Sequence, residues 1–199
     1  MTKDEKIAKL GKEITDRATV LLGKDKITPD APEYLGINSA LKFTAVKYDE
    51  KMADDILDIA LTMKKRVPLT IEQLAKKNPQ FDRAYLEKAM QALSESGLVE
   101  FHWENLDGKN PNHEKRWVLD MFVPGSAEIM MINPEQSDMF PETADFFERM
   151  AYLPLAGITE MVPPGGAGIG MHVIPVEKAI PAESKSLPIE HLSHWLKKY

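Results

Sequence analysis

No cysteine occurs anywhere in the 199 residues, which excludes a disulfide framework, a reactive thiolate and any zinc or iron–sulfur site ligated by thiolates of this chain. Long apolar runs are missing as well. The first residues, MTKDEKIAKLGKEITDR, alternate charge with apolar positions and hold no apolar stretch of signal-peptide length, and no segment approaches a membrane span. The expectation is a soluble, cytoplasmic protein with no membrane partner. Cations are in the minority: 25 lysines and arginines stand against 31 aspartates and glutamates, a formal net charge of -6. That balance weakens any global attraction to nucleic acid and leaves only a local basic face to be looked for.

Catalytic signatures are equally scarce. The stretch VPPGGAGIGMHVIPVEKAI groups Gly165, Gly166, Gly168 and Gly170, but a dinucleotide fingerprint needs G-x-G-x-x-G between a strand and a helix. Here the glycines from Gly166 on are spaced by two, a proline pair precedes them and a strand-like run follows. We read them as a structural glycine loop. No G-x-x-x-x-G-K-[ST] occurs, and Ser126, Ser137, Ser184 and Ser186 lie in no G-x-S-x-G elbow. His191 and His194 are spaced to share a helix face but lack further ligands. Met130, Met131, Met150, Met161 and Met171 read as adaptable core packing. No catalytic, cofactor-binding or metal-ligating residue is assigned, and the chain alone is expected to be noncatalytic.

What is present is helical period, then a change of period. Ile7, Leu10, Ile14, Ala18 and Leu21 predict an amphipathic helix over residues 4–22, ended by Gly23. ITPDAPEYLGINSALKF has two prolines, a glycine and no sustained period, and predicts an ordered connector. From Asp49, the residues Met52, Ile56, Ile59, Ala60 and Met63 line a helix expected to run to Val67-Pro68. Thr70 and Gln73 form a capping-box pattern for a short helix through Lys77. Asp82 caps a further helix with Leu86, Ala89, Met90 and Leu93 inside, and Gly97 ends it. The period then becomes two: Val99, Phe101 and Trp103 predict one strand, Arg116 to Leu119 another, with Asp107-Gly108 in the loop between them. Later, Ala127 to Ile132 and His172 to Val176 predict strands, Glu142 to Met150 and Ile189 to Lys198 helices.

These elements predict an α+β protein. A winged helix-turn-helix core spans residues 49–123, preceded by a helical N-terminal arm (1–48) and followed by a mixed α/β C-terminal extension (124–199). In such a fold the second helix of the motif faces the DNA major groove and the hairpin wing touches backbone. The residues that would make nucleic-acid or partner contacts are Arg83, Lys88 and Gln91 on the helix, and Lys109, Lys115 and Arg116 on the wing. The same helix displays Glu87 and Glu95, a poor surface for phosphate. Winged helices also serve as protein-packing modules, so both readings stand at this point.

Several long phrases carry a resemblance: ITPDAPEY, KMADDILDIALTMKKRVPLTIEQLAKK, MFVPGSAEIMMINPEQ, FFERMAYLPLAGITEMVPPGGAGIGMHVIPVEKAI and IEHLSHWLKKY. From about Ile27 onward the chain resembles the amino-terminal region of large flavin and iron–sulfur oxidoreductases related to pyridine nucleotide-disulfide oxidoreductases. The resemblance implies that FAD, nicotinamide and 4Fe-4S clusters belong to segments following this region in the parent proteins. None of the cysteines or fingerprints for them lies in these 199 residues, so no cofactor is expected in this chain. The implied role is a noncatalytic docking or domain-organising module of an electron-transfer system. Its partners would be adjacent iron–sulfur and flavin domains, or a second copy in a homodimer. The alternative is a DNA-binding transcriptional regulator.

Overall fold

A computed structural model describes residues 1–15, 27–105 and 108–144, and the statements below concern those residues. The chain is an α+β protein, with seven α-helices and one two-stranded antiparallel sheet among them. None of these helices is long and apolar enough to cross a membrane.

Helix α1, Lys3–Ile14, starts at a capping box: Thr2 accepts the Glu5 N–H, and Glu5 accepts the Thr2 N–H at 2.8 Å. Its buried stripe is Ile7, Leu10 and Ile14. The helix ends at Ile14, short of the expected Leu22, and residues 16–23, with the expected stop at Gly23, lie outside the described residues. At Thr15 the backbone turns to φ -56°, ψ 137°. There the Thr15 hydroxyl bonds both the Gly11 carbonyl at 2.7 Å and Glu33 Oε1 at 2.9 Å, and Lys65 Nζ donates to the Thr15 carbonyl at 2.7 Å. Tertiary partners end the helix, although its apolar spacing persists.

The larger correction is α2, Pro32–Lys47, a 16-residue helix where a connector was expected. Pro32 occupies its first turn, where a missing N–H costs nothing. Its buried residues include Glu33, Gly36, Ile37, Ser39, Ala40, Phe43 and Thr44, which form one broad side opposite Asn38, Lys42 and Val46. Buried polar and small residues erase the amphipathic signal that a surface helix would show. Helix α2 meets α1 and also α3, α5, α6 and α7, whose ranges follow, so it forms the central strut.

Helix α3, Glu50–Ala60, is capped by Asp49, which accepts the Met52 N–H at 2.7 Å. It stops at Leu61, short of the expected Val67-Pro68, because Thr62 and Met63 close a tighter turn onto the Ile59 and Ala60 carbonyls. Helix α4, Ile71–Lys77, has the expected Thr70–Gln73 capping box. Replacing Thr70 with alanine is expected to cost about 1 kcal/mol in urea unfolding, with serine restoring most of it. Helix α5, Arg83–Glu95, is capped by Asp82 and buries Leu86, Ala89, Met90 and Leu93. Gly97 then takes φ 82°, the left-handed conformation that ends helices.

Strands β1, Val99–His102, and β2, Arg116–Leu119, pair with Val99 opposite Leu119 and Phe101 opposite Trp117. The other edge of β2 is also used. Leu69 and Trp117 exchange N–H···O bonds of 2.9 and 2.8 Å, and the Arg66 N–H donates to Leu119 at 2.9 Å. Within the loop, buried Asn110 donates to the Trp103 and Glu114 carbonyls at 3.1 and 2.9 Å and accepts the Glu114 N–H at 3.0 Å. One amide thereby clips the hairpin shut.

Beyond a turn at 120–126, Ala127–Ile132 is helix α6 and not a strand. A six-residue apolar run fits either period. Here Ala127 and Met130, three apart, point inward, while Ile132 lies exposed. Helix α7, Pro134–Met139, follows, capped by Asn133 and tied to α2 by Gln136 Nε2 donating to Ser39 Oγ at 3.3 Å. Of the helix expected over 142–150, only a single turn, Pro141–Thr143, and Ala144 are described. The glycine loop Gly165, Gly166, Gly168 and Gly170, the His191/His194 pair, and the elements expected over 172–176 and 189–198 lie outside the described residues.

Candidate functional site

Period two in the hairpin builds an unusual face. With Phe101 opposite Trp117, the same register carried toward the loop sets Trp103 across from Lys115, so the pairs 99/119, 101/117 and 103/115 share one side. Burial fades along that row. Val99 and Leu119 are core, Trp117 is 4% exposed, Phe101 36% and Trp103 49%. The three rings meet edge to face: Phe101–Trp117 centroids are 5.3 Å apart at 69°, and Phe101–Trp103 5.2 Å apart at 76°.

Lys115 lies over them. Its Nζ lies 4.0 Å from both the Phe101 and Trp117 ring centroids and 5.9 Å from that of Trp103. An ammonium held by ring faces is attracted by their quadrupoles, worth about 0.5–2 kcal/mol depending on desolvation. Among the described residues, no carboxylate forms an ion pair with it.

Beside this cage runs a groove of about 570 Å³, floored by Trp117 and Ile71 and bordered by Thr70, Glu72, Arg83, Glu87, Gln91, Glu114 and Lys115. Arg83 bridges its acidic wall, with Nη1 2.9 Å from Glu72 and Nε 3.1 Å from Glu87. The Glu72 carboxyl is held below the usual range by its own backbone N–H, then by the Thr70 hydroxyl and Arg83. These pairs are exposed, so each contributes little to stability. Their effect is on what the groove attracts: three carboxylates face two cations, both already engaged.

The residues expected to make contacts divide into three places. Arg83, Gln91 and Lys115 line the groove together, with Gln91 donating to Glu95 at 3.1 Å. Lys109 and Arg116 lie with Val67, Pro68 and Gln73 around a second recess of about 350 Å³, and the Arg116 guanidinium donates to the Lys109 carbonyl. Lys88 stands apart, 5.6 Å over the Tyr48 ring. Phe101, Trp103 and Trp117 were read from sequence only as strand residues. The missed signal was cross-strand register, which puts a lysine among aromatics.

A separate buried group lies at the end of β2. Asp120 is 1% exposed, and neither carboxylate oxygen has a hydrogen-bond partner. Arg66 Nη1 approaches it at 3.3 Å and Glu100 at 3.5 Å. Burial, followed by the nearby Glu100, pushes the Asp120 carboxyl up to about 7, against the pull of Arg66; Glu128 adds to the rise. Among the described residues, no group of three or more His, Asp or Glu side chains is arranged to hold a metal. Comparison with protein-family models, with curated proteins and with solved structures finds no match to this chain.

Proposed function

We propose that residues 49–123 form a winged helix-turn-helix used for protein docking, and that the chain is a noncatalytic, domain-organising module of a cytoplasmic flavin and iron–sulfur oxidoreductase system. The order α3, α4, α5 and hairpin, with the 65–69 segment on the free edge of β2, supports the first part. The proline-punctuated phrases of the sequence support the second.

One observation carries the choice of protein over DNA. Phosphate binding requires cations available to displace counterions, yet on the face of α5 that would enter a groove of DNA, Arg83 is shared between Glu72 and Glu87. Lys115, which the sequence offers as a phosphate grip, is turned onto aromatic rings. The regulator reading draws on the other side of the wing, where Lys109 and Arg116 lie together.

The two readings separate in one set of measurements. The 199-residue chain titrated with a mixed-sequence DNA duplex at low salt is expected to show no steeply salt-dependent binding. The tagged protein purified from its source cells is expected to carry stoichiometric flavin and iron in one complex or one longer polypeptide. Salt-dependent duplex binding abolished by the double variant Lys109→Glu/Arg116→Glu would promote the regulator. Saturable binding of flavin or iron by these 199 residues alone would end the noncatalytic reading.

A further inference from the structure

We propose that the cage of Phe101, Trp103 and Trp117, with the groove beside it, is a receptor for a lysine side chain presented by a basic segment of a protein partner. Lys115 is the internal occupant that this lysine replaces. The inference rests on the docking reading above and names the chemistry of its partner.

The shape of the cage is matched to an ammonium by the ammonium it already holds. Two ring centroids at 4.0 Å and a third at 5.9 Å stand beside Lys115 Nζ, a cluster of ring faces that favours a cation over a neutral side chain. Trp103 and Phe101 are exposed, so the cage opens to solvent and a second chain can reach it. Phe101 and Trp117 are held on paired strands, with Trp117 fixed by bonds to Leu69 on the far edge, and Trp103 follows directly on β1. They need no rearrangement to receive a ligand.

Charge supplies the rest. Glu72, Glu87 and Glu114 border the adjoining groove, and among the described residues Glu114 pairs with no cation. A basic segment lying along the groove places one lysine in the cage and its neighbours beside these carboxylates, whereas an acidic segment would be repelled. With Lys115 released, its ammonium is free in solvent at the rim. Because the cage is already filled from within, affinity for an outside lysine is lowered by the fraction of time Lys115 occupies it.

The experiment uses the 199-residue chain and a fluorescent peptide of alternating lysine and glycine, with a glutamine–glycine peptide as control. Anisotropy titrations are run for the wild type and for Lys115→Ala, Trp103→Ala and Trp103→Phe, each first checked for native circular dichroism and a cooperative thermal transition well above the assay temperature. Lys115→Ala is expected to tighten the lysine peptide about tenfold by emptying the cage, and Trp103→Ala to weaken it several-fold, with Trp103→Phe restoring most of the loss. In the wild type, the Lys115 ε-methylene proton resonances, shifted upfield by the rings, are expected to return to ordinary values as peptide is added. Weaker binding by Lys115→Ala, or binding indifferent to Trp103, overturns the proposal. Self-association of the chain abolished by Trp103→Ala overturns it in favour of a second copy. If no peptide binds while the source-cell complex with flavin and iron is found, the cage proposal fails and the docking reading stands. If that complex is absent too, both fail.

Discussion

Replacing Gly36 with alanine is expected to destabilise the protein by about 2 kcal/mol, although the change raises intrinsic helix propensity by roughly 1 kcal/mol. Gly36 lies in the interior of α2, where alanine would ordinarily be an improvement. A methyl group built there would stand 2.4 Å from Phe122 Cε2 and 2.9 Å from its Cζ. Phe122 is fully buried, so its ring has no solvent to swing into, and either the helix or the turn at 120–126 must shift. Overpacking of a rigid core costs about 1–3 kcal/mol and occasionally more, which outweighs the propensity gain. Valine at this position is expected to be worse. The check is urea unfolding of Gly36→Ala, Phe122→Leu and the double variant. Phe122→Leu is destabilising alone, but the pair should be more stable than the sum of the two losses by about 1 kcal/mol, since the smaller side chain makes room for the new methyl. A gain in stability for Gly36→Ala alone would mean that Phe122 does not seat against α2.

The same helix shows where reading the sequence stops. Caps are local, so Thr70 and Asp82 marked the starts of α4 and α5, and the structure has the corresponding hydrogen bonds. Stripes are nearly as local: Leu86, Ala89, Met90 and Leu93 named the buried side of α5. Helix α2 offers neither signal. Ala31 caps it without a side-chain bond, and polarity is mixed on both sides, with Glu33, Ser39 and Thr44 buried beside Ile37 and Phe43 while Val46 is exposed. Periodicity is read from polarity that follows exposure, and in this helix polarity and exposure do not match. Where α1 ends was hidden for a related reason. Thr15 leaves the helix to serve Glu33 and Lys65, partners 18 and 50 residues away.

At the site, residue identity was legible and spatial role was not. Arg83 and Glu87 are four apart on a helix, so their pairing follows from spacing alone. Glu72 joins them from α4, a contact made by the turn between the helices. Counting lysines on the wing treated Lys115 as a phosphate grip. Its actual position follows from the strand register, which period two suggests but which only the pairing of Phe101 with Trp117 fixes.

Asp120→Asn is expected to make the protein more stable above pH 7 and to remove much of the pH dependence between about 4 and 7. The Asp120 carboxyl is buried without a hydrogen-bond donor, and its native value is pushed up to about 7 by burial and then by Glu100, against Arg66, with Glu128 adding to the rise. In the unfolded chain the same group titrates near 4. Below about 4 both states hold the proton and the group is neutral in its effect. Between about 4 and 7 the native state keeps a proton that the unfolded state has released, so stability falls as pH rises. Above about 7 the native state carries a buried carboxylate and the full penalty applies, on the order of 2–4 kcal/mol. Asparagine fits the same space beside Gly125 and cannot ionise, so the difference between variant and wild type should be near zero at low pH and grow to that size by pH 8. Arg66→Gln provides the opposite perturbation. Removing the only cation that approaches Asp120 among the described residues raises its native value further and carries the falling limb to higher pH. Urea unfolding at a series of pH values reads all three curves. Wild-type and Asp120→Asn curves that run parallel from pH 4 to 9 would mean that Asp120 keeps an ordinary ionisation in the folded chain, with Arg66 and solvent satisfying it after all.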